Sequence, residues 1–199
     1  MQQVQKKQPS QIFSRSLNRW KDSALAFYVE ECGGGGDCLF HCIAKALTRL
    51  VSEEITMTHI RDRLANTLSE ETITEFLTNI KEDQDQQLLP GSKRVSVTEQ
   101  VENVRKLVSS SGTTFPGTDV VLRWLLKHDD LFTYLKVGFV IFSTFGPGYT
   151  TILNKGADNF ILLFNHANMH WQLVNVIDAN YVEFSTVSSK VLDILKPYL

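Results

Sequence analysis

Apolar residues recur at intervals of three and four through the first two thirds of the chain, and the period then changes. From Asp37 the positions Leu39, Phe40, Ile43, Ala44, Leu47, Leu50 and Val51 mark one face of a buried helix. Ile60, Leu64 and Leu68 form the stripe of a second helix, with Thr58 as its expected cap. ETITEFLTNI repeats the pattern through Ile73, Phe76, Leu77 and Ile80. KEDQDQQLLPGSK is polar, carries Pro-Gly and reads as an exposed loop. Val101, Val104, Leu107 and Val108 predict a further helix ended by SSSG, and Thr118 opens another that runs to His128. Beyond it the runs are short, branched and aromatic: KVGFVIFSTF, DNFILLFN, HWQLVNV and YVEFSTV read as strands. VLDILKPYL closes the chain as a short helix. The order predicts an α+β fold of one domain, a small central sheet flanked by helices. Residues 1–22 form a polar lead-in and 23–199 the domain.

Composition narrows the possible functions. A chain of 199 residues, 43% hydrophobic and 21% charged, suits one soluble globular domain. The formal net charge of -2 gives no support to a nucleic-acid partner. The opening MQQVQKKQPSQIF lacks a signal-peptide core, and LFTYLKVGFVIF is too short to span a bilayer. The three cysteines, Cys32, Cys38 and Cys42, crowd one short segment. That makes a poor disulfide framework and points to a reducing compartment.

The cysteines surround GGGGDCLFHCIAKAL at 33–47, where four glycines carry an entropic cost that needs a reason. A phosphate loop would place Lys-Ser/Thr after the glycines, and Asp37-Cys38 stands there instead. A metal knuckle could draw on Cys32, Cys38, His41 and Cys42, but no second ligand pair follows downstream. A plain glycine turn capped by Asp37 is a third possibility. The fourth is a nucleophile loop. Cys38 in the first turn of a helix sits at the positive end of its dipole, which favours the thiolate. Backbone N–H groups of Gly35, Gly36, Asp37 and Cys38 would then converge on an oxyanion.

Among the five histidines, His41 follows Cys38 on the same helix with poor geometry toward the thiol, so a neighbouring loop or solvent is its expected partner. His59 and His128 read as surface residues near helix ends. His166 and His170 flank one loop. His170 opens a strand in which Trp171 and Leu173 take one face and His170, Gln172 and Val174 the other. Trp171 is expected in the core. Glu30 and Glu31, just before the glycines, could supply a carboxylate from the opposite side.

Gly-Asp-Cys-Leu-Phe-His resembles the nucleophile motif of the ovarian tumour (OTU) family of cysteine proteases, and NMHWQLV at 168–174 resembles its histidine strand. The resemblance spans residues 25–180, and its glycine-rich loop is similar to OTU domains of large DNA viruses and intracellular bacteria. It implies a papain-like fold and a deubiquitinase that hydrolyses the bond after the C-terminus of ubiquitin or a ubiquitin-like modifier. Cys38 would be the nucleophile and His170 the base, with Gln172 as the third member and Asn168 as its alternative. Two positions depart from the family pattern: Gly35 stands where an aspartate is usual, and Gln172 where Asp or Asn is usual. The implied partners are ubiquitin or polyubiquitin chains, with no metal, cofactor, nucleic acid or membrane. The implied state is a cytoplasmic monomer, in the host cytosol if the chain is a viral or bacterial effector. An inactive ubiquitin-binding module and a papain-like peptidase with another substrate are the rival readings.

Overall fold

The computed structural model describes residues 26–83, 96–112, 119–143, 150–166, 170–177, 183–184 and 186–188. The polar lead-in, Asn168, most of the Pro-Gly loop and the closing VLDILKPYL segment lie outside them. The elements run β1 (Ala26–Glu30), α1 (Cys38–Val51), α2 (Met57–Asn66), α3 (Ile73–Asp83), α4 (Val97–Ser109), α5 (Asp119–His128) and α6 (Asp130–Tyr134). The strands β2 (Val137–Ser143), β3 (Thr150–Leu153), β4 (Asn159–His166), β5 (His170–Ile177), β6 (Glu183–Phe184) and β7 (Thr186–Ser188) follow. The fold is α+β, helices first and then a sheet, as the change of period predicts.

The sheet is mixed, with the order β1-β5-β4-β2-β3. Only β4 and β2 are parallel among those neighbours. Successive residues Val137–Phe142 of β2 and Phe160–Asn165 of β4 are buried, so both faces of the sheet centre are covered. β4 and β5 pair only near their shared loop, from Leu163↔Leu173 to His166↔His170. Beyond that stretch they part, and β7 takes the edge of β4 while β6 takes that of β5. Helix α1 packs on β5 and against α2, and of its predicted face Leu39, Phe40, Ile43, Ala44 and Leu47 are buried while Leu50 and Val51 are half-buried. Trp171 is 2% exposed and lies in the same core. No described helix is long and apolar enough to cross a membrane.

The structure adds β1, β3 and α6 to the predicted set, and where YVEFSTV is predicted as one strand it has two, β6 and β7, which pair with different neighbours. β1 and β3 are short, and each is made a strand by pairing with another element, β1 with β5 and β3 with β2. α6 is a five-residue helix held at its start by Asp129, whose side chain accepts from the amides of Leu131 and Phe132. Helix α2 also starts earlier than predicted. Its cap is Thr56, not Thr58: the Thr56 hydroxyl accepts from the His59 amide at 3.2 Å, and the His59 ring Nδ1 accepts from the Thr56 amide at 3.2 Å. A histidine thus completes the reciprocal box that Glu or Gln usually closes. His128 corrects another expectation. It is half-buried rather than on the surface, its ring 4.2 Å from that of Trp124, and burial lowers its pKa.

The cap assignment makes a measurable distinction. Thr56→Ala should lower stability by about 1 kcal/mol in urea unfolding, the usual cost of a lost N-cap. Thr58→Ala, on an exposed position within the helix, should stay within about 0.5 kcal/mol. Equal losses would mean that Thr56 is not the cap.

Candidate active site

The glycine run has separate local reasons. Gly35 and Gly36 take φ of 68° and 91°, left-handed values that suit residues without a Cβ. They turn the chain so that the Asp37 amide donates to the Gly34 carbonyl at 3.3 Å. Gly33 serves a different need: a Cβ there would come within 2.4 Å of the His41 ring. The ring therefore rests on the loop, as expected for a histidine turned away from the thiol.

Asp37 does not cap α1 with its side chain. Its carboxylate is buried and turns toward α2 and the end of α4. One oxygen pairs with the Arg61 guanidinium, and the other accepts from the Ser111 hydroxyl and the Gly112 amide, each at 2.8 Å. Burial alone would raise the carboxyl's pKa. The Gly112, Ser111 and Arg61 donors outweigh that, and hold it below the usual carboxylate value.

These bonds change the expected set of oxyanion donors. The Asp37 amide, one of those expected from Gly35 to Cys38, is already engaged by Gly34. The Asp37 carbonyl accepts from the His41 amide at 2.9 Å, along the helix. Because the peptide unit is planar and trans, the Cys38 amide in the same unit points the other way, out of the helix N-terminus. As the first residue of α1 it has no partner within the helix. The Cys38 amide is the donor that the helix geometry aims outward.

The register of β1 against β5 sets the second half of the site. Glu30 pairs with Leu173, so one further antiparallel step brings Glu31 across from Gln172. One oxygen of the Glu31 carboxylate lies 2.8 Å from His170 Nε2, and the other accepts from the Gln172 amide. A carboxylate can only accept, so Nε2 carries the proton and Nδ1 is left as the basic nitrogen. His170 and Gln172 do share a face, as the alternation predicts. Gln172 nevertheless departs from expectation: its amide donates to Glu31 instead of its oxygen accepting from the imidazole.

Glu30, one residue earlier, projects to the other face. It pairs with Lys45 and Arg49 of α1 and accepts from Asn175 at 3.0 Å. Burial opposes its charge, but Lys45, Asn175 and Arg49 more than compensate, and its pKa is lowered. Glu30 fastens α1 to β5, while Glu31 faces His170.

The thiols lie at the same end of α1. Cys38 is 7% exposed and Cys42 is fully buried. The Cys42 sulfur donates to the Trp171 carbonyl at 3.6 Å, which places the first turns of α1 beside the start of β5. Among the described residues the Cys38 thiol makes no hydrogen bond to His170. Such contacts in unliganded sites often tighten only when substrate arrives. A hydrogen bond with Cys32 and burial raise the Cys42 thiol well above its ordinary value, and the same bond lowers that of Cys32. No group of three or more His, Cys, Asp or Glu is placed to hold a metal ion among the described residues.

No protein-family model matches the sequence, and neither does any curated protein. Solved structures with a similar chain path include an OTU deubiquitinase from Wolbachia pipientis wMel, at a TM-score of 0.48 and 15% identity over 85% of this chain and 96% of that one. An ovarian tumor (OTU) domain in complex with ubiquitin gives a TM-score of 0.49 and 14% identity over 87% of this chain and 83% of that one. The Wolbachia deubiquitinase bound to ubiquitin gives 0.44 and 12% over 82% and 97%. At these values the likeness is confined to the path of the chain.

The three thiols should separate in a small-molecule alkylation. At neutral pH iodoacetamide should modify Cys38 and the half-buried Cys32, and leave Cys42 at least about tenfold slower, as read by peptide mass. Equal rates at all three would contradict the environments described for them.

Proposed function

We propose that this chain is an OTU-type thiol hydrolase, a deubiquitinase that cleaves the bond after the C-terminus of ubiquitin or a ubiquitin-like modifier. The observation that carries the chemistry is the Glu31 carboxylate, which holds Nε2 of His170 and the amide of Gln172 together beside the helix that Cys38 begins. The nature of the substrate rests on the resemblance of GDCLFH and NMHWQLV to the OTU motifs.

In this reading Nδ1 of His170 takes the proton of the Cys38 thiol, and the thiolate attacks the carbonyl carbon at the ubiquitin C-terminus. The carbonyl oxygen gains the charge and is held by the Cys38 amide and by the amides of the glycine turn. When the tetrahedral species collapses, the imidazolium gives its proton to the departing lysine amine and a thioester remains. Water then attacks the thioester and loses its proton to Nδ1. Collapse releases the C-terminus as its acid, which loses its remaining proton to solvent, and the Nδ1 proton returns to the Cys38 sulfur. Glu31 keeps the imidazole in the Nε2–H tautomer throughout and offsets the positive charge of the imidazolium. Gln172 acts one step further out by orienting Glu31.

Glu31, which the sequence reading names with Glu30 as a possible carboxylate, thereby takes the orienting role that the same reading gives first to Gln172 or Asn168. Hydrolysis of a ubiquitin–fluorophore conjugate tests the assignment. Cys38→Ala and His170→Ala should abolish turnover while leaving the fold intact by circular dichroism. Glu31→Ala should lower kcat about a hundredfold, equivalent to about 2.7 kcal/mol, with little change in KM. Gln172→Ala should cost about tenfold, or about 1.4 kcal/mol. A Gln172→Ala loss as large as that of Glu31→Ala would return the orienting role to Gln172. Turnover that survives Cys38→Ala would refute the thiol mechanism.

A further inference from the structure

Within the proposed mechanism, one feature beside the nucleophile works against it. Asp37 places a buried carboxylate one residue before a thiol that must become an anion, on the same turn whose amides would hold an oxygen that gains negative charge. The structure answers that charge with Arg61. Its guanidinium is fully buried, pairs with Asp37, donates to the Val108 carbonyl at 2.7 Å and to the Gly36 carbonyl at 3.4 Å, and lies 4.3 Å from the centre of the Phe40 ring. Phe40 is in the first turn of α1, so the cation is seated under the loop and the helix start together. Two neutral donors, Ser111 and Gly112, take the remaining Asp37 oxygen.

We infer that Arg61 is a positioning residue for the reaction. Its charge cancels that of Asp37, so that the loop can hold the Cys38 thiolate and the oxyanion without an opposing carboxylate beside them. The inference rests on the thiol-hydrolase reading. It makes a specific demand: activity should follow the balance of charge at positions 37 and 61 rather than the identity of either side chain.

Four forms of the protein separate the cases. Wild type, Arg61→Lys, and Asp37→Asn combined with Arg61→Met are balanced, and Arg61→Met alone is not. The double variant replaces a buried ion pair with neutral groups, a change that folded proteins often accept. Arg61→Met should lower kcat on ubiquitin–fluorophore about thirtyfold or more at nearly unchanged KM. The two balanced variants should stay within about threefold of wild type. A parallel readout needs no substrate. The ratio of Cys38 to Cys32 alkylation by iodoacetamide, measured within each molecule, should fall about tenfold in Arg61→Met and recover in the double variant.

Wild-type kcat in Arg61→Met, or a double variant as slow as Arg61→Met, would overturn the inference. If Arg61→Met does not fold, the two balanced variants decide it: a loss above about tenfold in either, at unchanged Tm, overturns it. Should wild type fail to hydrolyse ubiquitin–fluorophore at all, the deubiquitinase reading falls, while the alkylation ratio still decides the role of Arg61.

Discussion

The buried pair of Asp37 and Arg61 is the constraint on which the candidate site depends. A carboxylate and a guanidinium taken out of water are tolerated only when each finds close partners, and removing one partner from such a pair typically costs about 3–5 kcal/mol. Here the partners come from four places in the chain: the glycine turn, α2, the end of α4 and the turn after it. Their convergence fixes where the glycine run ends and where α1 begins. The direction of the Cys38 amide follows from the helix itself, because the Asp37 carbonyl accepts from the His41 amide.

A second carboxylate organises the other half. Adjacent residues at the end of a strand project to opposite faces, and Glu30 and Glu31 divide two tasks accordingly. Glu30 meets the cations of α1 and Asn175 of β5, and so joins helix to sheet. Glu31 meets His170 and Gln172. In the proposed thiol-hydrolase reading, Gln172 stands where the OTU motif that the sequence resembles has Asp or Asn, and Glu31, the residue after β1, supplies the negative charge that this amide lacks.

Much of this was legible in sequence because it is local. The period of three and four in LFHCIAKALTRLV marks α1 and its buried face, and the alternation of HWQLV puts His170 with Gln172 and turns Trp171 inward. The place of Cys38 at the start of that helix was legible as well. Non-local features were not. Glu30 and Glu31 are both candidate carboxylates in sequence, and only the pairing of β1 with β5, which brings Glu31 opposite Gln172, chooses between them. Their one sequence signal is closeness to the glycine run. Arg61 carries no signal in sequence, since nothing near it shows that Asp37 lies against it. Thr56 and Thr58 are both good caps in ITMTH, and the His59 ring selects between them. The glycines were legible as a group but not individually. Gly33 makes room for a ring, whereas Gly35 and Gly36 supply a turn that occupies the Asp37 amide.

The central claim is that Cys38 is selected by the site and not merely reactive as a thiol. Ubiquitin carrying a C-terminal Michael acceptor tests this directly, with the adduct weighed intact and located by peptide mapping. A single adduct on Cys38 is expected, lost in His170→Ala, with Cys32 unmodified even though iodoacetamide reaches it. An adduct on Cys32, or none on a protein whose Cys38 still alkylates freely, would contradict the account.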